Sequence, residues 1–284
     1  LEILLAMGGV GNSLNRLFVI SSVLLLLITI FWIVKDIEPE WKEYQRRYKE
    51  IILSKAKSER EKKDIMREKY EIKQIIVKKL NRIDRCITCH LGFENPDMMN
   101  EEEPFRYHPG ILRKHPVEKF GCTVCHLGQG MATTVKDAHG KGLKHWHEPL
   151  LYGEYIQSSC GKCHFETYLK EAPLLSIGRR LYDFYGCRNC HKVYMEGGVS
   201  GPSLNAVASK LPDEFVWGNY KGERSLNKWL ILHFKNPQIF QPDSKMTNFG
   251  IPDENAKALT IYMLSLTGEK FPKEYYRGKK PYVE

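Results

Sequence analysis

Eight cysteines constrain this 284-residue chain more than any other feature, because they fall in four pairs of identical spacing. The pairs are Cys86/Cys89, Cys122/Cys125, Cys160/Cys163 and Cys187/Cys190, and each is followed at once by a histidine: His90, His126, His164 and His191. Two C-x-x-C pairs can build a Cys₄ zinc site, but zinc requires no histidine directly after each pair. With ten histidines in the chain, four such neighbours have a chance probability on the order of 10⁻⁶ by composition. C-x-x-C-H is the c-type haem attachment signature, in which two thiols bond the haem vinyl groups and the next histidine reaches the iron. The reading is therefore four covalent haem c groups, with all eight thiols used as thioethers.

Covalent attachment of this kind belongs to the outer, periplasmic face of an energised membrane. The haems also revise the charge. The polypeptide carries +9, and each ferric haem with two ionised propionates adds about −1, bringing the holoprotein to roughly +5. The basic balance thus says little about nucleic acid, and no helix-turn-helix, RNA-binding or zinc-finger pattern accompanies it. No nucleic-acid partner is expected.

Residues 17–34, LFVISSVLLLLITIFWIV, form an uncharged run of 18 residues, the lower limit for a membrane-spanning helix. Trp32 and Trp41 mark its C-terminal end, where an aromatic belt would sit. The run exceeds a signal-peptide core and no A-x-A-like site follows it, so an uncleaved anchor in the lipid bilayer is expected. Positive-inside counting would place the basic C-terminal flank in the cytoplasm; the haems require the opposite, and large domains translocate largely regardless of charge. Further cytoplasmic residues are expected ahead of Leu1.

Residues 35–85 hold 17 Lys/Arg against 11 Asp/Glu and no glycine. Trp41, Tyr44, Tyr48 and Ile51, then Ile65, Ile72, Ile76, Leu80 and Ile83, recur at helical spacing, which predicts a charged helical stalk. Residues 86–172 carry three attachment motifs among frequent Gly, Pro and His, as in a trihaem domain whose haems serve as the apolar core. The expected fold class is mainly α with much irregular structure. Its parts are a tail and transmembrane anchor (1–34), the stalk (35–85), the trihaem domain (86–172), a helical monohaem domain (173–268) and a basic tail (269–284).

Residues 173–268 resemble a class I cytochrome c. Gly178-x-x-Leu181-Tyr182 precedes the fourth motif, Gly201-Pro202 and Met246 follow it, and Tyr262 lies in the last expected helix. The resemblance implies Met246 as the second axial ligand of the His191 haem. The chain departs from the family in having Met246-Thr247-Asn248-Phe249 without the usual proline after the methionine. The alternative ligand is His233, with Met246 as a core residue.

Three haems then need a distal ligand. His108, His115, His139, His145 and His147 lie between Cys89 and Cys160. His115, His139 and His145 are the expected ligands, with His108, His147 and Met131 in reserve. Three bis-histidine haems would form the low-potential end and the His191/Met246 haem the high-potential end. Full ligation leaves no open iron for small-molecule chemistry, and no Ser/His/Asp, Walker or dinucleotide pattern is present. No catalytic residue is expected.

The segments WKEYQRRY, GCTVCHLGQGMATT, KDAHG and KHWHEPLL, together with the anchor, resemble multihaem cytochromes that accompany cytochrome b and Rieske proteins in bacterial bc-type complexes. That resemblance implies an electron-transfer subunit, itself non-catalytic, that passes electrons from quinol to a soluble acceptor such as a cytochrome c. The run Leu17–Val34 has no ionisable residue with which to bind or deprotonate a quinol. The alternative is a stand-alone tetrahaem quinol dehydrogenase feeding a periplasmic reductase; such proteins are shorter and lack a class I tail.

Overall fold

The computed structural model describes residues 2–108, 110–143 and 146–279. The chain is mostly helical, with a long N-terminal apolar helix, a C-terminal helical domain and little strand. It divides into two compact units, one of residues 1–72 and 88–107, the other of residues 73–87 and 108–284.

In the first unit, α1 spans Glu2–Ile37. From Leu14 onward its apolar side chains are exposed on every side, and an 18-residue window reaches a mean hydropathy of 2.9. A helix apolar all round has no face to turn to water. Its hydroxyls are satisfied within the helix: Ser21 Oγ donates to Phe18 O at 2.9 Å and Thr29 Oγ1 to Leu25 O at 2.8 Å. This helix is long and apolar enough to cross a membrane.

Pro39 then breaks the helix, and α2 (Glu40–Lys55) starts behind it with Glu40 and Glu43 in the first turn, complementing the helix dipole. α3 (Glu59–Arg67) is capped by Ser58. Buried Gln45 of α2 gathers the unit: its amide donates to Glu71 O at 2.7 Å and Thr88 O at 3.1 Å and accepts from Glu71 N at 3.0 Å. Tyr48 packs on Phe105, with ring centroids 6.1 Å apart.

The second unit opens on a hairpin where the helical spacing of Ile72, Ile76, Leu80 and Ile83 predicts a stalk helix. β1 (Ile75–Val77) pairs antiparallel with β2 (Arg82–Asp84), with Ile76 opposite Ile83. The β-branched run Ile75-Ile76-Val77 favours strand, and Asn81 takes the left-handed turn conformation at φ 51°. Short helices follow: α4 (Val117–Phe120), α5 (Thr123–His126), α6 (Val135–His139) and α7 (Gln157–Cys160). Three longer ones form the C-terminal domain: α8 (Pro173–Phe184), α9 (Leu226–Lys235) and α10 (Asp253–Ser265).

α8 and α10 cross closely, and α9 packs on α10. Leu175, Tyr182, Leu230, Phe234, Leu259 and Met263 form the centre of this core. Burying each large apolar side chain contributes roughly 1.5–3 kcal/mol. The expected basic tail is no free extension over its described part: Phe271 and Tyr275 are buried against Phe120, Val124 and Cys163, and Arg277 N donates to Cys163 O at 2.8 Å.

Candidate functional site

Each attachment motif ends in a short turn that sets its histidine. In the last three, the histidine N–H donates to the carbonyl of the first cysteine: His126 to Cys122 at 3.0 Å, His164 to Cys160 at 2.9 Å and His191 to Cys187 at 2.9 Å. One helical turn thus places both thiols and the imidazole together.

The fourth motif is the most completely built. His191 Nδ1 lies 2.8 Å from Pro202 O. A protonated Nδ1 donates there, which fixes the tautomer and leaves Nε2 as the ligating nitrogen. Gly201 lies beneath the ring, where a Cβ would stand 2.6 Å from His191 Cε1. Tyr182 of α8 donates its hydroxyl to His191 O at 2.9 Å. Met246 Sδ lies 3.1 Å from His233 Nε2, and the His233 ring stacks on Trp229 at 4.3 Å between centroids. The two candidate distal ligands of this haem are therefore neighbours. Burial, aided by the nearby His191, lowers the His233 pKa to about 4 and keeps its ring neutral.

The backbone of the fourth motif is held in place: Cys190 N–H donates to Cys187 O at 3.2 Å, and its carbonyl accepts from Gly201 N at 2.9 Å. Gly198 packs on the same backbone, where a Cβ would stand 3.1 Å from Cys190 Cα. The Cys190 side chain is exposed, Cys163 is buried and the other six cysteines are half-buried.

The third motif packs against the C-terminal helical domain. A Cβ on Gly161 would stand 2.6 Å from Ser265 Cβ of α10. Arg179 of α8 donates to His164 O at 2.6 Å and also to Glu166 O. His164 Nδ1 lies 3.3 Å from Glu166 Oε2 without a hydrogen bond between them.

The second motif rests on Asp84, which is fully buried. Its carboxylate accepts from Cys122 N at 2.5 Å, Thr123 N at 3.0 Å and Thr123 Oγ1 at 2.7 Å. Gly121, at φ +68°, must lack a Cβ because one would stand 2.3 Å from Asp84 Oδ2. The second and third motifs are adjacent. The side chain of Lys162 is 3 % exposed; its Nζ lies 3.3 Å from Val124 O and 3.4 Å from Glu269 Oε2, and Arg82 binds the same carboxylate. Sequence reasoning overlooked Asp84, Arg179 and Glu269; an acid two residues before the first C-x-x-C-H was the signal for Asp84.

The expected distal histidines occupy distinct places. His115 lies 6.0 Å from His164 between ring centroids, although it precedes the second motif by only seven residues. Burial lowers its pKa. His139 closes α6 with its ring 6.5 Å from Tyr152. His145 lies outside the described residues. Of the reserves, His108 is 5.9 Å from His126, while His147 is exposed and Met131 is 59 % exposed.

The cysteines fit haem attachment better than other thiol chemistry. None is disulfide-bonded. Burial pushes the Cys160 and Cys187 thiols up to about 11 and Cys163 up to about 12. Cys125 is raised by burial, and Cys122 first by its hydrogen bond with the Cys86 thiol, then by burial. Thiols held neutral are poor metal ligands and poor exchange nucleophiles. Among the described residues, no three His, Cys, Asp or Glu side chains converge to hold a metal ion. The anchored His191 ring, the cradle at Gly201 and the paired imidazoles all fit haem.

A family model, Cytochrome c, matches residues 175–267. This part of the chain is a class I cytochrome c domain, which implies covalently bound haem c and haem-based electron transfer. No curated protein and no solved structure matches the chain.

Proposed function

We propose that the chain is the membrane-anchored cytochrome c subunit of a quinol-oxidising respiratory complex. Four haem c groups, attached at Cys86/Cys89, Cys122/Cys125, Cys160/Cys163 and Cys187/Cys190, would supply one-electron redox chemistry. The N-terminal helix holds the chain in the membrane with its haem segments on the periplasmic face. Cytochrome b and Rieske-type subunits would deliver electrons, and a soluble carrier such as a cytochrome c would accept them.

One observation carries this reading. The second and third attachment segments and the cytochrome c domain are joined side by side within one unit, through Lys162 to Val124 O and Arg179 to His164 O. Contiguous attachment segments ending in a cytochrome c domain suit a relay with an outlet.

The chain's own residues hold and orient the groups. His90, His126, His164 and His191 would bind the irons, and Met246 would be a further ligand of the His191 haem. Asp84 fixes the second attachment segment and the Pro202 carbonyl the His191 ring. The buried core around Leu175 and Leu259 packs beside the fourth motif and keeps water from the domain's interior.

Mild-detergent extraction of native membranes, followed by purification of the haem-staining band, tests the assignment. Cytochrome b in fixed ratio with this chain is the expected result. The chain alone, still reduced by quinol, would overturn it in favour of a stand-alone quinol dehydrogenase.

A further inference from the structure

We infer that His108 is the sixth ligand of the haem attached at Cys122/Cys125, and that His115 serves the next haem, attached at Cys160/Cys163. The assignment deepens the four-haem reading and rests on it.

Two imidazoles that share one iron face each other at a fixed spacing. Two metal–nitrogen bonds of about 2 Å plus about 1.1 Å within each ring put their centroids roughly 6 Å apart. His108 and His126 stand at 5.9 Å, and His115 and His164 at 6.0 Å. Both pairs join the histidine of an attachment motif to a histidine distant in the chain, as opposite sides of a haem require. Both lie within the second compact unit.

The surroundings support the pairing. On the proximal side of the second pair, His164 Nδ1 faces the Glu166 carboxylate at 3.3 Å. On the distal side, the His115 ring packs edge-on against Phe120 at 4.9 Å, and its Nδ1 is buried without a hydrogen-bond partner. His115 thus reaches the third motif, which packs beside the second. Pro116 caps α4, and the tail residue Tyr275 closes on Phe120 at 5.2 Å between ring centroids.

The two pairs differ in ring orientation. The His108 and His126 planes cross at 88°, those of His115 and His164 at 57°. Near-perpendicular axial imidazoles give a low-spin ferric resonance with a large maximum g value, and smaller angles give a more rhombic signal. The two sites are therefore distinguishable in one sample.

The test uses the full-length holoprotein in detergent, with haem content measured by intact mass and by peptide mapping. His108→Ala should keep four haems and lose the large-g signal. One haem should become high-spin and bind carbon monoxide when reduced. His115→Ala should expose one haem to carbon monoxide while keeping the large-g signal. His147→Ala, at an exposed histidine, should leave the spectrum unchanged. Should His108→Ala fail to accumulate, His108→Met should give a low-spin haem with a new methionine-to-iron charge-transfer band. Four haems that all stay low-spin and closed to carbon monoxide in His108→Ala, or an unaltered spectrum in His108→Met, would overturn the assignment alone. An unsubstituted chain with no haem on the Cys122/Cys125 peptide would overturn the four-haem reading with it.

Discussion

The carbonyl oxygen of Ala258 lies 2.1 Å from where a Cβ on Gly178 would stand. Gly178 is on α8 and Ala258 on α10, so the two helix backbones meet with no side chain between them. Beside this contact, Tyr182 meets Tyr262 edge to face at 5.5 Å between ring centroids. Gly178→Ala should force the crossing apart and destabilise the cytochrome c domain by about 1–3 kcal/mol, the usual range for overpacking a tight core. Denaturant unfolding of the holoprotein, followed by far-ultraviolet circular dichroism, measures the loss.

Asp84 holds the second attachment segment from beneath. Asp84→Ala removes three hydrogen bonds to a charged, fully buried acceptor. Such bonds contribute about 1.5–3 kcal/mol each and are not additive, so a loss of about 3 kcal/mol is expected. Thr123→Val, which deletes one of the three, should cost about 1 kcal/mol. Urea titrations of the two variants against the unsubstituted protein give both values.

Glu269 joins Arg82 and Lys162. Glu269→Gln leaves the buried Lys162 ammonium without its carboxylate. The carboxylate side chain is 29 % exposed, so solvent screening reduces the penalty of a fully buried pair to about 2 kcal/mol. Adding Lys162→Met should recover most of that loss. A double-mutant cycle with strictly additive effects would contradict the coupling.

Ligand type sets the order of potentials. A histidine–methionine pair raises the potential of a haem relative to bis-histidine ligation. Spectroelectrochemical titration should therefore resolve one high-potential haem, lowered by Met246→His, and three lower ones. His233→Phe, with the Met246 contact of 3.1 Å removed, should shift the high-potential haem alone.

Much of the C-terminal domain was legible because its constraints are local. Gly178, Tyr182 and Gly201-Pro202 stand at fixed places around one motif: Gly178 meets α10, Tyr182 bonds the His191 carbonyl, and Gly201 and Pro202 hold the His191 ring. The helical turn that carries each of the last three motif histidines onto its first cysteine is likewise local to the C-x-x-C-H spacing. The hairpin at residues 75–84 was not legible, because isoleucines three and four apart satisfy helical periodicity while Ile75-Ile76-Val77 satisfies strand propensity. The closeness of His115 to His164 was hidden because the two lie far apart in the chain and come together only where the third motif packs beside the second. The tail's burial of Phe271 and Tyr275 depends on Phe120 and Cys163, more than a hundred residues away, and a basic, aromatic stretch gives no sign of such a partner.

The proposed electron relay requires four haems bonded to this chain. Intact mass spectrometry of the purified full-length protein under denaturing conditions tests this directly, since only covalent groups survive. The expected result is the polypeptide mass plus four haems, with one on each C-x-x-C-H peptide. A mass showing haem only at Cys187/Cys190, with the other six cysteines unmodified, would contradict it and leave a membrane-anchored monohaem cytochrome.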